Sequence, residues 1–328
     1  MRTLDSLILE TAGLTPTGLQ PAADTMLISN DPTGELTRVA TATTANVVVL
    51  DADYARCQAA RQLGAAVAGD TRLDEYLAES SGSALVVGAM PKSLSRLNYL
   101  ARAIAGAGFD AVRVILGGNN KHLSRSMNET LATSFATVTA SRGRGKFRCL
   151  VASEPRAVTY QPRRANGFVA IGGVFSGVKE DRGAALLRAS LPGDLGRFLD
   201  LGCGNGAVSR GITGAEATDS DADAVLSARA IGIEATWDDA GSRYPDHVFD
   251  TIALNPPFHD GTTIDATLVQ HLLDAAARLL TPGGSLYLVH NSHLRYRGAV
   301  EHRFENVEQI ARDATFTVLR AWTAPVLS

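Results

Sequence analysis

The strongest constraint on this chain is that its second half repeats the plan of its first. Strand-like runs at Thr25 to Ile28, Val47 to Leu50 and Ala84 to Val87 each lead into a turn or an aspartate, and Leu94, Leu97, Leu100 and Ile104 recur between strands at helical spacing. The plan returns at Phe198 to Leu201, Glu216 to Thr218, Thr251 to Leu254 and Ser285 to Val289. Pairing Asp51 with Asp219, Pro91 with Pro257, His122 with His293 and Leu150 with Leu319 gives offsets of 168, 166, 171 and 169. Spacing that constant indicates an internal duplication. β-branched strands alternating with helices imply a mostly parallel sheet covered on both faces. Each half should close in a hairpin, Phe135 to Thr139 with Phe147 to Val151 and Val307 to Ala311 with Phe316 to Leu319. The expectation is an α/β chain of two tandem Rossmann-like domains, residues 1–155 and 196–328, with 156–195 as linker and lead-in.

A chain of 328 residues that is 45% hydrophobic has enough apolar material for two cores. No apolar run approaches the roughly 20 residues of a membrane span, and Asp5 and Glu10 interrupt what would be a signal's apolar region. A cytoplasmic protein without membrane association is expected. Cys57, Cys149 and Cys203 are far apart with no CxxC, which suggests neither a disulfide framework nor a metal site. The net charge of −3 hides an asymmetry: Lys92 to Arg164 holds thirteen Lys and Arg against Asp110, Glu129 and Glu154. That local basic excess favours a nucleic-acid partner.

The two copies differ where chemistry would sit. Asn255-Pro256-Pro257-Phe258 in the second half faces Ala89-Met90-Pro91-Lys92 in the first. Consecutive prolines stop a strand rigidly at its carboxyl end, where open α/β sheets bind ligands. There the Asn255 amide oxygen and the Pro256 carbonyl are placed to accept from an exocyclic –NH2, and Phe258 to stack on a flat base. Likewise Asp200-Leu201-Gly202-Cys203-Gly204-Asn205-Gly206 faces Ile28 to Gly34, which has lost the glycines at the positions of Gly202 and Gly204. Gly202, Gly204 and Gly206 let backbone approach a ligand. Asp200 is placed for the charged amino-acid end of S-adenosylmethionine, Asp219 for ribose hydroxyls, and Asp239, preferred over Asp238, for the adenine. Together with the NPPF turn, this set favours S-adenosylmethionine over a nicotinamide cofactor. The first copy is expected to bind no cofactor and to serve substrate recognition. From these residues alone the methylated group is a planar amine or amide, and guanine, adenine N6 in DNA, and a protein glutamine all remain open. A non-catalytic RNA- or ribosome-binding protein is the reading from a different class.

Phe198-Leu-Asp-Leu-Gly-Cys-Gly-Asn-Gly206 with Asn255-Pro-Pro-Phe-His259 resembles the bacterial ribosomal RNA guanine-N2 methyltransferases of the small- and large-subunit type. Those chains are two tandem class I methyltransferase domains with seven-stranded sheets, the first degenerate. Gly173-Val-Phe-Ser176, Asp181-x-Gly183 and Asn291-Ser-His-Leu-Arg-Tyr296 extend the likeness. It implies methyl transfer to guanine N2 of ribosomal RNA, with Pro257 and His259 near the target. Lys121 and the hairpin-tip residues Arg142, Arg144 and Lys146 are the candidate phosphate contacts. His259-Asp260-Gly261 is similar to the small-subunit branch and Asn291-x-His293-Leu294 to the large-subunit branch.

Overall fold

A computed structural model describes residues 2–14, 23–44, 46–257, 263–294 and 296–323, without the side chains of 263–266. The chain divides into two compact units, Met1–Pro162 with Ile171–Gly173 and Arg163–Ala170 with Val174–Ser328. The stretch 156–195, expected as linker and lead-in, is thereby shared between them. Its hairpin of β8 (Arg163–Ala165) and β9 (Phe168–Ala170) and its helix Arg182–Ala189 fall in the second unit.

In the first unit, β1 (Thr25–Ser29), β2 (Val47–Val49), β3 (Ala66–Val67), β4 (Ser83–Ala89), β5 (Ala111–Asn119), β6 (Phe135–Ala140) and β7 (Phe147–Pro155) form one sheet, ordered β3-β2-β1-β4-β5-β7-β6. In the second, β10 (Phe198–Leu201), β11 (Glu216–Asp219), β12 (Glu234–Trp237), β13 (Phe249–Leu254), β14 (Leu280–Asn291), β15 (Asn306–Arg312) and β16 (Phe316–Trp322) are ordered β12-β11-β10-β13-β14-β16-β15. The two orders are the same. In each sheet the first five strands pair in parallel, and both expected terminal hairpins join antiparallel. The two-residue β3 was not foreseen, because Ala66–Val67 is too short to carry a period.

The second sheet is buried on both faces, as its apolar strands require. Leu199, Leu201, Ile252, Leu254, Leu286 and Leu288 pack on one side with Leu273 and Ala276 of the helix Thr263–Leu279. Phe198, Ala253, Tyr287, Val289 and Val318 point the other way, against Leu187 and Val208. Alternation along each strand sends successive side chains to opposite cores. Burying each large aliphatic contributes about 1.5–3 kcal/mol, and truncating one such as Leu273 to alanine would cost about 2–5 kcal/mol. Asp200 shares its parity with Phe198 and so enters a mainly apolar core.

Candidate active site

The strand order of the second unit reverses between β10 and β13, the switch point at which open α/β sheets place ligands. Leu201 pairs with Leu254, so the chain leaves both strands side by side, into Gly202 on one and Asn255 on the other. A cavity of about 460 Å³ opens there, lined by both residues and by Gly204, Asp219, Asp239 and Pro257, among others.

The three glycines divide by role. Gly202, Gly204 and Gly206 all have positive φ, at 81°, 53° and 81°, a region costly for other residues. A Cβ on Gly202 or Gly204 would meet nothing within 4 Å, so both expose backbone to the cavity. On Gly206 it would lie 2.4 Å from Ile233 Cδ1. Gly206 is thus a packing glycine and is absent from the cavity wall.

Gly202 and Cys203 both donate their N–H to Thr218 O, at 2.8 and 3.0 Å, and Gly204 N–H donates to Asp219 Oδ2 at 2.9 Å. Asp219 Oδ1 accepts from Asp221 N–H at 2.9 Å. The carboxylate is thereby held at the cavity edge with lone pairs to spare. Burial, then repulsion from Asp221, pushes its pKa up to about 7. Asp200 is fully buried and lies behind the wall rather than on it. Ser209 Oγ donates to Asp200 Oδ2 at 2.5 Å, Oδ1 has no partner among the described residues, and burial pushes the pKa up to about 6. Of the two aspartates after β12, Asp239 lines the cavity. Asp238 is buried and accepts from Thr218 Oγ1, Gly241 N–H and Arg243 N–H, a structural role. His271 Nε2 lies 2.8 Å from Asp239 Oδ1 and joins it on the wall. Nothing in the sequence flagged His271, which looks like one more residue of an amphipathic helix.

Asn255 donates from Nδ2 to Asp181 Oδ2 at 3.1 Å, while its buried Oδ1 has no partner among the described residues. An unpaired buried acceptor costs about 1–3 kcal/mol, a penalty that a donor entering the cavity would remove. Pro256 is buried and Pro257 exposed, and both line the cavity. Phe258 and His259 lie outside the described residues. Phe175, Phe316 and Asn291 complete the wall from three separate segments. Phe175 is 62% exposed, unusual for a phenylalanine. His290 is buried with Nδ1 2.8 Å from Asn291 O, burial lowers its pKa, and His293 is exposed; neither lines the cavity.

The same corner of the first unit is built otherwise. Ser29 pairs with Gly88, which makes Asn30 and Ala89 the counterparts of Gly202 and Asn255. Asn30 keeps a positive φ of 51°. Arg56 crosses the corner, donating from Nη1 to Asn30 Oδ1 at 3.0 Å and lying 3.2 Å from Asp51, the counterpart of Asp219. Arg96 Nη2 donates to Leu50 O at 2.7 Å. Side chains therefore occupy the space that backbone leaves open in the second copy. Elsewhere on this unit Lys121, Arg142, Arg144 and Lys146 are all exposed. Asn120 N–H donates to Lys146 O at 2.9 Å, which brings the Lys121 loop beside the hairpin tip. Arg144 is ion-paired with Glu10, and Lys146 Nζ lies 5.5 Å from the Phe147 ring centroid. Among the described residues no helix is long and apolar enough to cross a membrane, and no group of three or more His, Cys, Asp or Glu is arranged to hold a metal ion.

A family model described as "Methyltransferase small domain" matches residues 165–320, and one described as "RLMG N-terminal domain" matches residues 3–156. Among solved structures, the T. thermophilus 16S rRNA N2 G1207 methyltransferase in complex with AdoMet and guanosine aligns with a TM-score of 0.74 at 22% identity, over 98% of this chain and 92% of that one. It shows the fold, two class I methyltransferase domains. The ribosomal RNA large subunit methyltransferase G of Shewanella amazonensis is 32% identical over 71% of this chain and 67% of its own length. That of Pseudomonas putida is 32% identical over 71% and 69%. With both halves matched by their own family models and relatives of this identity aligned across most of their length, the chain belongs to the ribosomal RNA large subunit methyltransferase G family.

Proposed function

We propose that this protein transfers a methyl group from S-adenosylmethionine to the exocyclic N2 of a guanine in ribosomal RNA, with the large-subunit RNA as substrate, in the cytoplasm. The observation that carries the reading is the Asn255 amide, tied at its nitrogen and, among the described residues, unpartnered at its oxygen, on the wall of a cavity that exposed glycine backbone also lines. The relatives' common name favours the large-subunit RNA.

The residues present fit the cofactor. Gly202 and Gly204 leave bare backbone for the amino-acid portion, and Asp200 behind them carries a carboxylate oxygen with no partner among the described residues. Asp219 retains acceptor capacity for two ribose hydroxyls, and Asp239, which lines the cavity together with Leu268 and Leu272, is the acceptor for an adenine amino group. S-adenosylmethionine, when bound, supplies an electrophilic methyl on a positively charged sulfur.

On the target side, Asn255 Oδ1 and the Pro256 carbonyl accept the two N–H bonds of the amino group. Guanine N2 is a weak nucleophile because its lone pair is delocalised into the ring. Two fixed acceptors hold that nitrogen for in-line attack, in which the methyl–sulfur bond breaks as the methyl–nitrogen bond forms, and stabilise the positive charge that develops on it. One N–H proton then leaves to water, without a strong base. Phe258 stacks the base and Pro257 borders it, with His259 next along the chain. A paired guanine has to leave its stack to reach this depth. The exposed cations Lys121, Arg142, Arg144 and Lys146 of the first unit contact phosphates, which makes RNA binding salt-dependent.

The test is incubation with labelled cofactor and separately purified large- and small-subunit RNA, followed by nucleoside analysis. N2-methylguanosine in large-subunit RNA is the expected product. Label in adenine, in protein glutamine, or in no rRNA would overturn the proposal, and label confined to small-subunit RNA would overturn its substrate.

A further inference from the structure

We infer that Asp181 is a positioning residue that sets the polarity of the target pocket, by holding the Asn255 amide with its oxygen turned to the substrate. The inference rests on the reading that Asn255 engages the target amino group. Asp181 and Asn255 are 74 residues apart in the chain and meet through a single atom, Asp181 Oδ2. That oxygen accepts from Ala184 N–H at 2.9 Å, capping the helix Arg182–Ala189, and from Asn255 Nδ2 at 3.1 Å.

An asparagine amide has two ends of similar shape and opposite character, and rotation by 180° about its last bond exchanges them. A carboxylate only accepts. It takes the NH2 end and repels the carbonyl end, so the flipped amide would place two acceptors against each other and present a donor to the target. A donor there would suit a ring carbonyl or ring nitrogen. With Nδ2 tied to Asp181, Oδ1 is the end left to accept, which suits an amino group and rejects a carbonyl in its place. Asp181, itself on the cavity wall, thus discriminates between base edges through the end of the Asn255 amide it holds.

Gly183 shows how closely this corner is built. A Cβ on it would lie 3.0 Å from Asp181 Oδ2, 3.3 Å from Phe316 Cε1 and 3.4 Å from Asn255 Oδ1. The carboxylate, the amide oxygen and an aromatic ring of the cavity wall converge on one point, where a methyl would have to displace them by a few tenths of an ångström. Capping by itself would require none of these neighbours, since serine or asparagine caps as well as aspartate.

The experiment compares Asp181→Ser, Asp181→Asn and Asn255→Ala in the full chain. Serine keeps the helix cap but is too short to hold the amide; asparagine offers a carbonyl oxygen that accepts from both donors. Asp181→Ser should keep the melting temperature, the cofactor Kd and the KM for RNA near their unmodified values while kcat falls about a hundredfold, the scale expected when a reacting group is misplaced by about an ångström. Asp181→Asn should restore kcat to within about tenfold of the unmodified protein, because geometry returns although charge does not. Unmodified kcat in Asp181→Ser, or equal losses in both Asp181 variants, overturns the inference. If Asn255→Ala transfers methyl groups at the unmodified rate, the role of Asn255 itself fails; if it is inactive while Asp181→Ser is unimpaired, only the positioning role fails.

Discussion

The backbone N–H of Gly204 donates to Asp219 Oδ2 at 2.9 Å, which makes the glycine turn after β10 and the carboxylate at the end of β11 a single rigid unit. The turn orients the carboxylate, and the carboxylate closes the turn.

This joins two glycines of the same motif to different observables. Gly204→Ala carries its methyl into the cavity and should cost only about 1–2 kcal/mol of backbone strain while weakening cofactor binding about tenfold or more, that is by at least about 1.4 kcal/mol. Gly206→Ala adds overpacking against Ile233 to the same strain and should cost about 2–4 kcal/mol in stability, with cofactor affinity retained in the folded fraction. Denaturant unfolding and calorimetric titration separate the two. Equal losses of affinity in both variants would refute the division.

The pH dependence should have opposite signs for stability and for cofactor binding. Burial raises Asp200 to about 6, and burial with repulsion from Asp221 raises Asp219 to about 7. Between about pH 4, where an unfolded aspartate releases its proton, and pH 7 the folded protein holds protons that the unfolded chain has lost. Stability of the free protein from these groups is complete below that window and declines as pH rises through it. Cofactor affinity should rise through about pH 7 instead, because an ionised Asp219 accepts from both ribose hydroxyls with charge-assisted bonds while a protonated one loses an acceptor oxygen. Asp219→Asn should flatten that rise. An unmodified Kd constant from pH 6 to 8 would count against the assignment.

Gly183→Ala should separate stability from activity. Its φ is not in the left-handed region, and alanine gains up to about 1 kcal/mol over glycine in a helix. The melting temperature is expected to hold or rise slightly. The added methyl presses on Asp181 Oδ2, and kcat should fall about tenfold. Undiminished kcat would mean that the corner yields without consequence.

On the first unit, Arg142→Glu and Lys146→Glu should weaken RNA binding and lower the salt slope by about 0.7–0.9 for each phosphate that is no longer neutralised. Arg144→Glu should also loosen the hairpin, since it sets two carboxylates together at Glu10. Filter binding across a salt series measures the slope, and an unchanged slope in the Arg142 and Lys146 variants would remove them from the RNA surface.

Arg56→Met should destabilise the first unit by about 2–4 kcal/mol, because it strands the buried Asp51 carboxylate. Adding Asp51→Asn should recover part of that loss. An unaltered denaturation midpoint in Arg56→Met would show that the ion pair is not what holds this corner.

Much of this was legible in the sequence. The repeat offsets carried the duplication, and the strand patterns carried two sheets covered on both faces. The Asn255-Pro256-Pro257 turn and the glycines marked the cavity end of the second sheet, because strand termination and bare backbone follow from local residue chemistry alone. What neighbouring residues in the chain cannot encode is which groups meet after folding. Gly206 reads like Gly204 until Ile233 packs against it; Asp200 reads like a wall residue until the sheet turns it into the core; Arg56 reads as a surface arginine until it crosses to Asn30 and Asp51. His271 on Asp239 and Asp181 on Asn255 are side-chain hydrogen bonds spanning 32 and 74 residues. Residue order alone specifies the duplicated sheets and the strand end where the cavity opens, since periodicity and turn chemistry are local. Which end of the Asn255 amide faces the cavity is specified only on folding, because it depends on a carboxylate brought from a distant helix cap.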